Sequence, residues 1–151
     1  MTDHASIAGA LFVRGHNCAQ AVFCAFEDLT HMDDKLSLRL TSSMGGGVGR
    51  LREICGALSG AALVLGVLYG SEDPNDAEAK AAHYARVQEV AEKFRAQSGA
   101  IVCRELLKLQ EEKSEPTPEA RTAAYYHARP CQLLVECAAR AVDEYIAAHP
   151  F

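Results

Sequence analysis

No stretch of this chain is apolar for long enough to cross a bilayer. The longest such segment, Gly56 to Gly70, covers about fifteen residues and contains Ser59 and four glycines. A membrane span needs roughly 20, so a buried core helix is the better reading. Nor is there an excess of positive charge. Fifteen basic against twenty acidic residues leave a net charge of −5, which argues against nucleic acid and against a basic membrane-binding patch. The N-terminus, MTDHASIAGALFVRGHNC, has an acidic residue where a secretory leader needs positive charge; a cytoplasmic protein is expected. Tryptophan is absent, strand-like alternation is nearly absent, and there is no internal repeat. Finally, no C-x-x-C pair occurs among the six cysteines, which removes a thioredoxin-like pair and a locally written zinc ribbon. In a reducing compartment six cysteines are poor candidates for structural disulfides, and metal binding or redox chemistry is the better default.

What remains is helical. Ala5 to Arg14 is apolar at helical spacing and Gly15 interrupts it. Asn17, with Gln20 three residues later, makes a capping box for a helix from Cys18 to about Leu29. A short helix near Asp34 to Ser43, capped by Asp33 or Asp34, leads to the glycine loop Gly45 to Gly49. Arg52 to Tyr69 is apolar on every side, as a central, fully surrounded helix would be. Gly56 and Gly60, and again Gly66 and Gly70, lie four apart and can admit another backbone. Asp73-Pro74 is expected to start a long helix to about Gln97, with Ala77, Ala81, Tyr84, Val87, Ala91 and Phe94 as its buried stripe. A helix over about 102–110, the solvated loop EEKSEPTPE, and helices near 118–126 and 130–148 complete the chain. The expected fold is all-α: a single domain over 1–151, a compact bundle of about five to seven helices around an apolar, Gly-rich central helix.

The cysteines stand at 18, 24, 55, 103, 131 and 137. Cys18 with Cys24, and Cys131 with Cys137, have C-x5-C spacing; six helical steps leave such a pair about 120° apart, off a common face. Context divides the set. Cys18, Cys55, Cys103 and Cys131 each fall at or near an expected helix start, where backbone N–H groups and the helix dipole favour a thiolate. Cys24 and Cys137 lie mid-helix among apolar neighbours and read as small buried hydrophobes. Spacing alone leaves open whether the first four share a site.

The order of motifs, Asn17-Cys18-Ala19-Gln20, a Gly-rich loop, Cys55-Gly56-Ala57-Leu58-Ser59-Gly60, Cys103-Arg104-Glu105-Leu106 and then Cys131, resembles the C_GCAxxG_C_C family. That group of small bacterial and archaeal proteins, regarded as redox-active, is named for four cysteines. The resemblance covers about residues 5 to 145, and CGALSG is its most diagnostic element. It implies that the four family cysteines fall on Cys18, Cys55, Cys103 and Cys131, the four that helix context selects. This chain reads Cys55-Gly56-Ala57 where the family name orders Gly-Cys-Ala. The family is also similar to the non-haem domain of split-Soret-type cytochromes, where cysteines hold an iron–sulfur centre. With no C-x-x-C-H, haem attachment is not expected here.

Three functions fit four such thiols. The first is an iron–sulfur cluster held by Cys18, Cys55, Cys103 and Cys131 for electron transfer or redox sensing, with the glycine loop, Gly56 and Gly60 leaving room beside it. The second is cluster-free thiol–disulfide exchange. The third is a structural zinc ion making an interaction module, although no short C-x2–4-C turn supports it. The loop is not a phosphate site: no Gly-Lys-Ser/Thr follows and Arg50 breaks the G-x-G-x-x-G frame. His16 and His127 lie near cysteines as ligand or proton-donor candidates, but a helix-end histidine is more often capping or surface. Arg129 could offset a negative cluster, and Tyr125-Tyr126 reads as core and rim. No Ser/His/Asp set, catalytic carboxylate pair or nucleotide fingerprint stands out, so no hydrolase or transferase is inferred and enzymatic activity is left open. A redox partner protein is implied without being identified, and the small-residue helix leaves a homodimer open.

Overall fold

A computed structural model describes all 151 residues, Met1–Phe151. The chain is mostly helical, with nine helices and no strand. They are α1 (His4–Val13), α2 (Cys18–Ala25), α3 (Glu27–Thr30), α4 (Asp34–Thr41), α5 (Gly56–Tyr69), α6 (Ala77–Ser98), α7 (Cys103–Leu106), α8 (Ala123–Ala128) and α9 (Cys131–Ala148). Six of these run eight residues or more, in line with the expected five to seven; the rest are single turns or little more. No helix is long and apolar enough to cross a membrane.

Local chemistry sets most boundaries. The Asn17 side chain accepts from the Gln20 N–H at 2.8 Å while Gln20 Oε1 accepts from the Asn17 N–H at 3.0 Å, closing the capping box. Asp33 caps α4 through the Leu36 N–H at 2.9 Å. The long helix α6 begins later than Asp73-Pro74, because Asp73 caps a preceding turn and Asp76 accepts from the Ala79 N–H at 2.9 Å. The expected Cys18–Leu29 helix breaks at Phe26 into α2 and α3, and α7 stops at Leu106, close before Lys108 in left-handed conformation.

The surrounded helix is α2, which packs against α1, α4, α5 and α9. Five of its eight residues are buried, including Val22 and Phe23. Around it Phe12, Phe26, Phe94, Leu65 and Val142 complete the core. This corrects the expectation for Arg52–Tyr69 in two ways. Arg52 to Ile54 lie outside any helix. The helix proper, α5, packs on α2, α6 and α9 but leaves a face open, with Val67 44% exposed. An apolar circumference permits full burial but does not supply partners for every side. The α6 stripe is corrected likewise: Phe94 and Val90 are buried, whereas Ala77 and Ala81 are exposed and Tyr84 is 60% exposed, because the N-terminal half of α6 runs along the surface.

Of the two glycine pairs, one carries close packing. A Cβ on Gly60 would lie 2.7 Å from the Ala19 carbonyl oxygen and 3.0 Å from Val22 Cβ, and one on Gly56 would lie 2.8 Å from the Met44 carbonyl oxygen. So α2 and α5 touch nearly backbone to backbone. Nothing approaches Gly66 within 4 Å, and a Cβ on Gly70 would meet only the backbone of Gly66, so the second pair admits no neighbouring element.

Candidate functional site

Four segments carry the four helix-start cysteines to one place. Cys18, Cys103 and Cys131 are the first residues of α2, α7 and α9, and Cys55 is the N-cap of α5. Cys55 and Cys103 are tied by a short antiparallel pairing centred on the Ile54–Val102 bridge. The Cys55 N–H donates to the Ile101 carbonyl at 2.8 Å and the Cys103 N–H to the Glu53 carbonyl at 2.6 Å. Gly56 lets α5 approach Cys18, whose Cβ would be 3.1 Å from an added Cβ. Gly47 does the same for Cys103: an added Cβ would lie 2.7 Å from Cys103 Cβ. The expectation that glycines leave room at the thiols therefore holds at Gly47 and Gly56, while Gly60 serves the α2–α5 contact below.

Gly46 and Gly47 belong to a left-handed turn that continues through Val48, Gly49 and Arg50, with Arg52 left-handed as well. Non-glycine residues pay for this conformation, of order 1 kcal/mol or more each. The turn is held by donation from Gly49 to the Ser43 carbonyl at 2.8 Å and from Arg52 to the Gly46 carbonyl at 3.0 Å.

All four cysteines line one cavity of about 430 Å³. Cys55, Cys103 and Cys131 are buried and every cysteine in the chain is free. Cys24 and Cys137 do not reach this cavity. Both are half-buried rather than fully enclosed, Cys137 with its thiol 3.3 Å from Gln97 Oε1. No three His, Cys, Asp or Glu side chains close on a point suited to a single metal ion.

Their electrostatics differ. Cys18 and Cys131 influence each other more than anything else does: the neighbouring Cys18 thiol draws Cys131 down to about 7, while Cys18 is held well above the usual thiol range. The pair thus yields one proton readily and keeps the second. Burial opposes the drop at Cys131, and Arg129, Arg121 and Arg52 assist it. Burial pushes Cys55 up to about 12, against the backbone N–H groups of Ala57 and Leu58, which favour its anion without forming a close side-chain cap. Burial also raises Cys103, opposed by Arg52, whose Nη1 donates to Cys103 Sγ at 3.6 Å.

The arginines are the part that sequence reasoning missed. Sequence context points only to Arg129 as a partner for the thiols, yet Arg50, Arg52 and Arg121 also line the cavity. Arg121 stacks over Phe12 at 4.5 Å and Tyr125 at 5.1 Å, and donates to the Phe12 and His16 carbonyls at 3.1 Å each. Arg129 pairs with Glu119 and lies over the Tyr125 ring at 4.9 Å. No local motif marks these residues; only the fold gathers them. The EEKSEPTPE segment is likewise more than a solvated loop. It straps the cavity, with the Ser114 N–H donating to the Arg50 carbonyl at 2.9 Å and Arg52 Nε to Ser114 Oγ at 2.9 Å. Neither His16 nor His127 lines the cavity, and His127 is exposed in the last turn of α8. Tyr125 lines it, and Tyr126 packs edge-on against Phe12 at 5.8 Å.

No curated protein and no solved structure matches the chain. The family described as "Putative redox-active protein (C_GCAxxG_C_C)" matches residues 16–145, a span that includes all four cavity cysteines. The chain belongs to the C_GCAxxG_C_C family.

Proposed function

We propose that Cys18, Cys55, Cys103 and Cys131 together hold an iron–sulfur cluster used for electron transfer or redox sensing. The observation that carries this reading is the sorting of the six cysteines: four helix starts line one cavity and the two mid-helix thiols do not. Four thiolates are the donor set such a cluster takes. With no group of three side chains ready to hold a metal ion, a single structural zinc is the weaker reading. When bound, a cluster supplies one-electron chemistry at a potential set by charge, hydrogen bonding and exposure. Against the burial of the site, the backbone N–H groups of Ala57 and Leu58 favour the anion at Cys55, and the guanidinium groups of Arg52, Arg121 and Arg129 favour it at Cys131. The test is protein purified without oxygen: iron, acid-labile sulfide and a brown visible spectrum are expected. A colourless, metal-free protein would overturn the reading.

A second reading rests on the placement of Cys18 and Cys131 in one cavity, where each shifts the other's titration. In thiol–disulfide exchange the Cys131 thiolate attacks a partner's disulfide, and one partner thiolate leaves. Cys18 then displaces the second, closing a Cys18–Cys131 disulfide and passing two electrons to the partner. Reversible cycling of these two thiols in metal-free protein would favour it over the cluster.

A further inference from the structure

The cavity concentrates positive charge in an acidic protein. Its lining holds four arginines and a single acidic residue, Glu119, in a chain of net charge −5. Glu119 is taken by Arg129, and Arg121 is spent on carbonyls and aromatic faces. Arg50 and Arg52 have no carboxylate partner. Arg50 bonds only the Glu115 carbonyl, through Nε at 2.6 Å. Arg52 reaches Ser114 Oγ and Cys103 Sγ through Nε and Nη1, leaving Nη2 without a protein acceptor. Yet Arg52 is only 3% exposed, and a buried guanidinium without a counter-charge is costly.

The two side chains lie together. A Cβ on Gly46 would sit 2.8 Å from Arg50 Cγ and 3.7 Å from Arg52 Nη1. The left-handed backbone at both arginines is the strained arrangement that sets them there. Arg52, Arg121 and Arg129 all act on Cys131, whereas Arg50 is not among the leading influences on any of the four thiols. A thiol-bound group therefore accounts for Arg52 in part and leaves Arg50 unexplained. A cavity of about 430 Å³ lies within the range of small-molecule sites.

We propose that one wall of the cavity is an oxyanion subsite formed by Arg50 and the free edge of Arg52. It takes a small molecule whose carboxylate, sulfonate or phosphate group is seated beside Cys103. Planar guanidinium groups suit such oxyanions, which they bind through paired, charge-assisted hydrogen bonds.

The test uses the full chain, as purified without oxygen and again after metal removal, titrated by calorimetry and thermal melting with sulfate, inorganic phosphate and oxidised glutathione. Sodium chloride at equal ionic strength is the control. Saturable binding beyond the chloride control is expected for at least one probe. Arg50→Gln should weaken it about tenfold or more, the loss of one charge-assisted contact, and Arg50→Lys should recover part. Arg95→Gln, on the exposed face of α6, should match wild type, and iron content should be unchanged in Arg50→Gln. Absence of binding by every probe, or equal binding by Arg50→Gln and wild type, overturns the subsite. Loss of iron in Arg50→Gln also overturns it, by assigning Arg50 to the thiol centre. Iron-free wild type that still binds an oxyanion through Arg50 sustains the subsite while refuting the cluster.

Discussion

Gly60 tests how tightly the two helices that carry Cys18 and Cys55 are joined. In Gly60→Ala the new methyl would stand 2.7 Å from the Ala19 carbonyl oxygen and 3.0 Å from Val22 Cβ. The nearer atom is backbone of the most enclosed helix, so it cannot swing aside as a flexible side chain would. Overpacking of this kind costs about 1–3 kcal/mol, offset in part by the roughly 0.5–1 kcal/mol gained on replacing a mid-helix glycine with alanine. The net loss is about 1–2 kcal/mol, a fall in Tm of roughly 2–8 °C for a chain of this size. Gly66→Ala, on the same helix, meets nothing within 4 Å; it should keep the alanine gain and raise Tm by roughly 1–4 °C. Calorimetric melts of the two variants beside wild type decide the matter. If Gly60→Ala melts at or above wild type, or if both variants shift the same way, the close α2–α5 approach is wrong.

Further perturbations address the core, the clamp at the N-terminus and the thiol pair. Phe94→Ala should cost about 3–5 kcal/mol in urea unfolding, while Tyr84→Ala should stay within about 0.5 kcal/mol of wild type; comparable losses would restore the continuous buried stripe on α6. His4 lies buried between Asp143 at 2.5 Å and Asp28 at 2.9 Å, stacked on Phe26. His4→Leu strands a partly buried carboxylate and should cost about 1–3 kcal/mol at pH 7. The Asp28 carboxyl, although burial raises it, is held below its usual 3.8 by its hydrogen bond to His4. Its contribution is therefore present above that value and is lost as pH falls through the folded-state titration. The gap between His4→Leu and wild type should narrow below about pH 4, and a gap that widens there would contradict the clamp. In metal-stripped protein, iodoacetamide should label Cys131 with a midpoint near pH 7, whereas Cys24, pushed to about 11 by burial, should still be gaining rate above pH 9. Equal profiles by mass spectrometry would refute the Cys18–Cys131 coupling.

The parts legible in the sequence are those set by local chemistry. Asn17 and Gln20 announce the start of α2, Asp33 that of α4, and the four cysteines at helix starts are read from their immediate neighbours. What stayed hidden depends on partners far along the chain. Ile54 and Val102 are unremarkable until their antiparallel pairing sets Cys55 beside Cys103. Arg52 and Arg121 reach the cavity from segments far apart in the sequence, and no spacing rule joins them. The uniform apolarity of α5 and the alanine-rich stripe of α6 report what could be buried, and only the packing shows that Val67 and Tyr84 are not.

The central claim is that four of the six cysteines act as one site. It is tested most directly by single serine replacements of all six, each purified without oxygen and assayed for iron and acid-labile sulfide per chain. Cys18→Ser, Cys55→Ser, Cys103→Ser and Cys131→Ser should each lose most of both, while Cys24→Ser and Cys137→Ser retain the wild-type content. If Cys24 or Cys137 proves as necessary as the four that line the cavity, or if all six variants match wild type, the account of this site is wrong.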